Sequence, residues 1–241
     1  MSDRTPLLEV RDLDVHLGES HVLHALSFDV ARGGITALLG RNGVGKTTTL
    51  RGILGLVSRA GSVRLDGEEL VRLPVHEIVR RGVGYVPEDR EVFAALTVAE
   101  NLALAERKGS PRKYDLVYDL FPELRERAAQ LAGTLSGGQQ QMLALARALL
   151  NGDNRILLVD EPTKGLSPLF VGRVATALER ASHETTILLV EQNLAVARKL
   201  AGAAIVLDQG RVRFTGTVEA LVSDPDLARS HLGVATAAAH A

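Results

Sequence analysis

Gly40, Arg41, Asn42, Gly43, Val44, Gly45, Lys46 and Thr47 match the pattern glycine, four residues, glycine, lysine, threonine, and Thr48 follows. Glycines so spaced let successive backbone N–H groups turn inward around phosphate oxygens. A helix opening directly after them presents the positive end of its dipole to the same anion. Lys46 brings an ammonium to the β- and γ-phosphates, and the Thr47 hydroxyl can take one coordination position on Mg²⁺. The apolar run Ile35–Leu39 before the glycines and Leu50, Ile53 and Leu54 after them supply the strand-then-helix setting that separates a phosphate loop from an inert glycine turn. ATP or GTP is the expected ligand.

A second chemical signal closes the apolar run 156–159 with Asp160 and Glu161. In phosphate-loop enzymes an acid so placed supports Mg²⁺, and Glu161, directed differently, could polarise water for attack on the γ-phosphate. Ser136, Gly137, Gly138 and Gln139 form a third. Ser136 and Gln139 have capping-box spacing ahead of a helix with Met142, Leu143, Ala146 and Leu149 on one face. Two readings stay open there: a well-capped helix only, or a second phosphate contact, because glycines expose first-turn N–H groups to an incoming anion.

The elements that position these groups read as α/β. Residues 8–11, 12–17 and 26–30 alternate apolar with polar, as half-buried antiparallel strands do. After the phosphate loop, helix formation is expected to stop near Gly55, and 63–67 returns to strand alternation with an Asp66-Gly67 turn. A helix over 75–81, a strand over 83–86 ended by Pro87, and a change to helical character from Glu88 follow. Thr97 with Glu100 is a capping box opening a helix to Ala105, and further helices are expected over 113–121 and 122–131. Ser167 and Pro168 read as cap and first residue of another helix, 186–190 as a buried strand, and 203–207 with 211–215 as a strand pair about Asp208-Gln209-Gly210. The Ala-rich 234–241 is expected to fray.

At 241 residues and 46% hydrophobic composition the chain can bury a core of its own, and a single domain is expected. No apolar run approaches the ~20 residues needed to cross a bilayer, and no signal-like segment opens the sequence. A cytoplasmic chain is therefore expected. The absence of cysteine excludes disulfides, thiolate metal sites and cysteine nucleophiles. A net charge of −1 gives no field for nucleic acid, and Arg80-Arg81, Arg107-Lys108 and Arg112-Lys113 read as solvated surface.

Taken together, the phosphate loop, Leu135-Ser136-Gly137-Gly138-Gln139 and Val159-Asp160-Glu161 resemble the ATP-binding-cassette ATPases over about 8–233. The resemblance implies a single cassette spanning 1–241, with a phosphate-loop core (about 1–87 and 151–233), an antiparallel β subdomain and an inserted helical lobe (about 88–150). It implies head-to-tail pairing, in which Ser136, Gly138 and Gln139 of one copy close on the γ-phosphate held by the other. Val86-Pro87-Glu88, 161–168 and Val190-Glu191-Gln192-Asn193 further resemble the second ATPase of branched-chain amino-acid importers. In that family Glu88 and Gln192 stand where residues sense the γ-phosphate: Glu88 as an oxygen ligand near Mg²⁺, Gln192 as an N–H donor. Leu17 departs from the family, which offers an aromatic ring for adenine there. The neighbouring His16 is expected on the opposite face of its strand.

The function implied is ATP hydrolysis with Mg²⁺, energising uptake through two integral membrane permease subunits fed by a substrate-binding protein. The chain would lie peripherally on the cytoplasmic face of the inner membrane, as a homodimer or paired with a sibling ATPase. The alternatives are the ATPase of a urea or short-amide importer and, from a different class, a soluble cassette protein of translation or DNA repair. The loop 88–95, with Val92 and Phe93, is the expected seat for a short helix of a membrane subunit, unless Phe93 is simply core.

Overall fold

The computed structural model describes residues 5–224 together with Arg229 and Leu232; the segment 234–241 lies outside the described residues. Ten strands, nine α-helices and a single-turn 3-10 helix (Ala132–Thr134) follow one another among them. Strands β1 (Leu8–Leu17), β2 (Ser20–Val30), β4 (Arg59–Leu65) and β5 (Glu68–Glu69) form an antiparallel sheet in the order β2-β1-β4-β5. The larger sheet runs β10-β9-β3-β8-β7-β6, built from β3 (Ile35–Leu39), β6 (Val83–Val86), β7 (Ile156–Asp160), β8 (Thr186–Glu191), β9 (Ala203–Asp208) and β10 (Arg211–Thr217). Its five strands β9, β3, β8, β7 and β6 are parallel, so their C-terminal ends share one edge. Ligands of such sheets bind at that edge.

The central strands are apolar throughout because both faces are covered. Ile35, Ala37, Leu39, Leu157, Val159, Ile187 and Leu189 pack into one cluster with the helices, while Leu38, Leu158, Leu188, Val190 and Leu207 pack into another with the antiparallel sheet and α1 (Lys46–Leu54). The helices α3 (Val98–Ala105), α4 (Tyr114–Leu120), α5 (Pro122–Glu126) and α6 (Gly137–Leu149) contribute Leu102, Val117, Leu124 and Met142 to the first cluster. The helical segment therefore has no core separate from the main sheet. The remaining helices are α2 (Val75–Arg80), α7 (Pro168–Ser182), α8 (Leu194–Leu200) and α9 (Val218–Ser223).

Several local expectations hold. Gly55 closes α1 in the left-handed conformation (φ 76°), and the capping box of Thr97 and Glu100 is formed, with Glu100 accepting from Thr97 N–H at 2.8 Å. Asp66-Gly67 and Gln209-Gly210 both have positive φ at both positions, as two-residue hairpin turns require.

Others are corrected. The strands expected at 8–11 and 12–17 are one strand, bent at Asp12 (φ 48°), whose N–H is taken by Ser27 Oγ at 2.9 Å. The helix expected over 122–131 ends at Glu126. Beyond it the carbonyls of Ala128 and Gln130 turn away to accept, at 2.9 Å each, from Ala99 and Val98 in the first turn of α3. That satisfies two N–H groups with no partner inside their own helix. Ser167 precedes α7, with Pro168 at its first position, but the Ser167 side chain makes no capping bond. In the loop 88–95, Phe93 is exposed as the seat requires (49%), with the Arg147 guanidinium 4.8 Å from its ring centroid, but Val92 packs against the first cluster. Of the basic residues expected as solvated surface, Arg80 and Arg81 pair with Glu77, Arg112 with Glu106 and Lys113 with Glu184, while Arg107 is largely buried on Asp153.

Candidate functional site

The site occupies the C-terminal edge of the parallel strands. β3 runs into the glycine loop, where Gly40 (φ 155°) and Gly45 (φ 108°) need glycine for two reasons. Their φ is unfavourable for other residues, and a Cβ would fall 2.4 Å from the Leu207 carbonyl oxygen at Gly40 and 2.7 Å from Leu23 at Gly45. Arg41, Asn42 and Gly43 are exposed, and Val44 packs against the second cluster. α1 opens at Lys46 with no side-chain cap and no acid in its first turn, so its dipole and first N–H groups are left for an anion. Thr48 lies half-buried in the same turn.

Three neighbouring strand ends complete the constellation. Lys46 is buried, its Nζ donating to the carbonyls of Gly40 (2.9 Å) and Arg41 (3.1 Å) and lying 3.3 Å from Glu161 Oε1. The Thr47 hydroxyl donates to Asp160 Oδ1 at 3.2 Å. Asp160 is fully buried and its Oδ2 has no hydrogen-bond partner. Burial pushes its carboxyl from the ordinary 3.8 up to about 6, with the charges of Glu88 and Glu161 acting in the same direction against the Thr47 hydrogen bond. Glu161 follows the strand with φ 41°, a left-handed conformation that costs a non-glycine residue on the order of 1–3 kcal/mol. Such strain persists where the surroundings over-determine it.

Sequence reasoning placed Thr47, Asp160 and Glu88 on one metal ion. The structure brings the first two together and puts Glu88 on Lys164 in an ion pair. Gln192 follows β8 and is exposed, while its neighbour Asn193 caps α8, accepting from Ala195 N–H at 3.0 Å. Two site neighbours escaped notice. Glu191 at the end of β8 is buried, accepts from the Thr163 hydroxyl at 2.7 Å, and is raised in pKa chiefly by burial. Lys164 reaches both Glu88 and, at 3.8 Å, Glu161 Oε2. An acid at the end of an apolar strand was the available signal for Glu191, and the three-residue spacing from Glu161 was the available signal for Lys164.

At the start of α6 the capping box is formed: Ser136 N–H donates to Gln139 Oε1 at 2.9 Å, and Gln139 N–H to Ser136 Oγ at 3.4 Å. Gly138 is buried, and a Cβ there would lie 2.5 Å from the Phe170 ring; at Gly137 it would lie 2.7 Å from the Arg90 guanidinium. Both open readings of this segment are thus accommodated, since the box is real and the first-turn N–H groups of Gly137 and Gly138 have no carbonyl a turn behind them. Near the loop, a histidine stack spans β1 and β2, His16 of β1 on His21 of β2 (centroids 4.1 Å apart) and His21 on His24 (4.0 Å). His24 N–H donates to Gly210, whose own N–H donates to Val44 in the loop. Leu17 and His16 are both exposed.

Comparison with known proteins agrees with this geometry. The family model described as ABC transporter matches residues 23–164. The chain is 42% identical to the high-affinity branched-chain amino acid transport ATP-binding protein BraG of Pseudomonas aeruginosa, over 94% of this chain and 100% of that one. It is 38% identical to the probable branched-chain amino acid transport ATP-binding protein LivF of Archaeoglobus fulgidus, over 95% and 99% of the two. A solved structure of an ATP-binding subunit of an ABC transporter superposes with a TM-score of 0.78 at 29% identity, covering 94% of this chain and 96% of that one. With its phosphate loop, paired strand-end acids and glycine-opened α6, the chain belongs to the ABC transporter family, as an ATP-binding cassette ATPase.

Proposed function

We propose that this chain hydrolyses ATP to energise import of branched-chain amino acids. The observation that carries the hydrolytic part is the convergence of Lys46, Thr47, Asp160 and Glu161 at one strand edge. The names of the two relatives above carry the substrate class. Lys46 holds loop carbonyls and Glu161 in place of an anion, and would exchange them for β- and γ-phosphate oxygens. Glu161 then takes a proton from water as it attacks the γ-phosphorus, the bond to the β–γ bridging oxygen breaks, and ADP leaves with that electron pair.

The donor set fits Mg²⁺. Asp160 keeps a buried oxygen without a partner beside the Thr47 hydroxyl, and no group of three or more His, Asp or Glu among the described residues is arranged to hold a metal alone. A hard cation bound mainly through substrate phosphates and water needs only one or two protein ligands. Thr47 and Asp160 would hold it, with Glu88 within reach of the same region, and when bound it neutralises charge on the phosphate oxygens. Gln192 is proposed as a neutral γ-phosphate donor.

No helix among the described residues is long and apolar enough to cross a membrane, so transport requires integral permease subunits. Exposed Phe93 beside Arg147 is the proposed seat for one of them on the cytoplasmic face. Ser136, Gly137, Gly138 and Gln139 would close on the nucleotide of a second copy or sibling ATPase. The test is uptake: deletion of the gene should abolish labelled leucine uptake, with recovery by the parent chain and none by Glu161→Gln. Unchanged leucine uptake with lost urea uptake would replace the substrate class and leave the ATPase reading intact.

A further inference from the structure

Glu161 has two carboxylate oxygens, and each faces a different lysine. Oε1 lies 3.3 Å from Lys46 Nζ and Oε2 lies 3.8 Å from Lys164 Nζ. The two cations differ in environment. Lys46 is 4% exposed and sits inside the phosphate loop, while the Lys164 side chain is 56% exposed and pairs as well with Glu88. An alternating chain of charges, Lys46, Glu161, Lys164, Glu88, thus runs from the phosphate loop across the turn after β7 to the loop after β6. That last loop leads into the helical segment through Thr97.

We infer that Lys164 is a positioning residue: it holds Glu161 through Oε2 so that Oε1 stays directed at the phosphate, and it ties that orientation to the loop carrying Glu88. The physical reason is that a phosphate competes for only one of the two lysines. Once nucleotide binds, Lys46 serves phosphate oxygens and Oε1 loses its cation. Without a second anchor the carboxylate could rotate away from the attacking water, and misplacement of a reacting group by an ångström is costly. Lys164 lies on the same turn, closed by its own N–H donating to the Glu161 carbonyl at 3.1 Å, so it remains in place when the phosphate arrives. Because Glu88 shares the Lys164 ammonium, displacement of the loop from 88 onward would alter that anchor. This assignment rests on the proposed reading of Glu161 as the base.

The test compares ATP turnover of the full chain with those of Lys164→Met, Lys164→Arg and Glu161→Gln, each over a range of ATP concentrations. Lys164→Met keeps length and removes charge. It should lower kcat by about ten-fold, leave KM for ATP within about two-fold, and leave the melting temperature unchanged, since an exposed ion pair adds little stability. Lys164→Arg should restore most of the loss. If Glu161→Gln is inactive while Lys164→Met turns over like the parent, the base reading stands and this inference falls. It falls equally if Lys164→Met raises KM with kcat intact, or if Lys164→Arg rescues nothing. If Glu161→Gln turns over like the parent, both readings fall.

Discussion

The phosphate loop and the start of α6 use the same physics, glycines ahead of a helix N-terminus, yet they differ in what surrounds them. At the loop, the helix opens without a cap and its lysine, hydroxyl and carboxylate partners come from β3, β7 and the turns beyond them. At α6 the helix is capped by its own Ser136 and Gln139, Ser136 is exposed, and Gly138 is pressed against Phe170. The first is a site with its charged groups already gathered inside one chain. The second is a capped helix start with one cation beside it, the Arg90 guanidinium at Gly137, and no acid among the contacts described above. Under the proposed function it would act on a nucleotide held by a second cassette.

The sharpest way to break the comparison is at Glu161. Glu161→Gln should keep nucleotide binding and lose on the order of 10² to 10⁴ in turnover, as removal of a general base does. Phosphate release and equilibrium binding of a fluorescent ATP analogue separate the two effects. A turnover close to the parent's would mean that the gathered charges serve binding alone.

Asp160 comes next. Its folded-state carboxyl is raised to about 6 from 3.8 by burial. A raised group contributes stability that is complete below the unfolded value and is lost as pH rises through the folded one. At neutral pH the nucleotide-free protein therefore carries an ionised, poorly solvated carboxylate. Asp160→Asn should stabilise it by at most about 3 kcal/mol, from roughly two pH units at about 1.4 kcal/mol each. The gain over the parent should grow between about pH 4 and pH 6 and level off above that in urea unfolding. A gain independent of pH would refute the burial argument. The same variant should lose the Mg²⁺ dependence of ATP binding.

Smaller effects test the α6 side. Gly138→Ala would ordinarily favour a helix by about 1 kcal/mol. Here the added methyl meets the Phe170 ring at 2.5 Å, so a net loss of about 1–3 kcal/mol is expected from overpacking. Phe170→Leu in the same chain should recover part of it, as read from the unfolding midpoint. Ser136→Ala should cost least, about 0.5–1 kcal/mol, because the Ser136 bond in the box is 3.4 Å long. A much larger stability loss would mean that Ser136 is not the exposed cap described.

Legibility follows the same division. The Ser136–Gln139 and Thr97–Glu100 boxes, the Gly55 stop, the Asp66-Gly67 and Gln209-Gly210 turns and the loop itself were readable because each is set by residues at most a few positions apart. The early end of α5 was not, because the carbonyls after Glu126 are taken by α3, some thirty positions upstream. Phe170 on Gly138 likewise depends on how α7 crosses α6.

The amino-acid sequence by itself determined which groups could do chemistry: a phosphate loop ending in Lys46 and Thr47, two acids closing an apolar strand, and a capped, glycine-opened helix. Spacing and side-chain type are enough for that, since the motifs are local and their backbone demands are specific. Only the tertiary structure decided which groups meet. Lys46 on Glu161, Thr47 on Asp160, Lys164 on Glu88, and the buried Glu191 all arise because parallel strands distant in sequence end at one edge. The crossovers joining those strands fix the distances between their ends, and no residue pattern within a single segment records them.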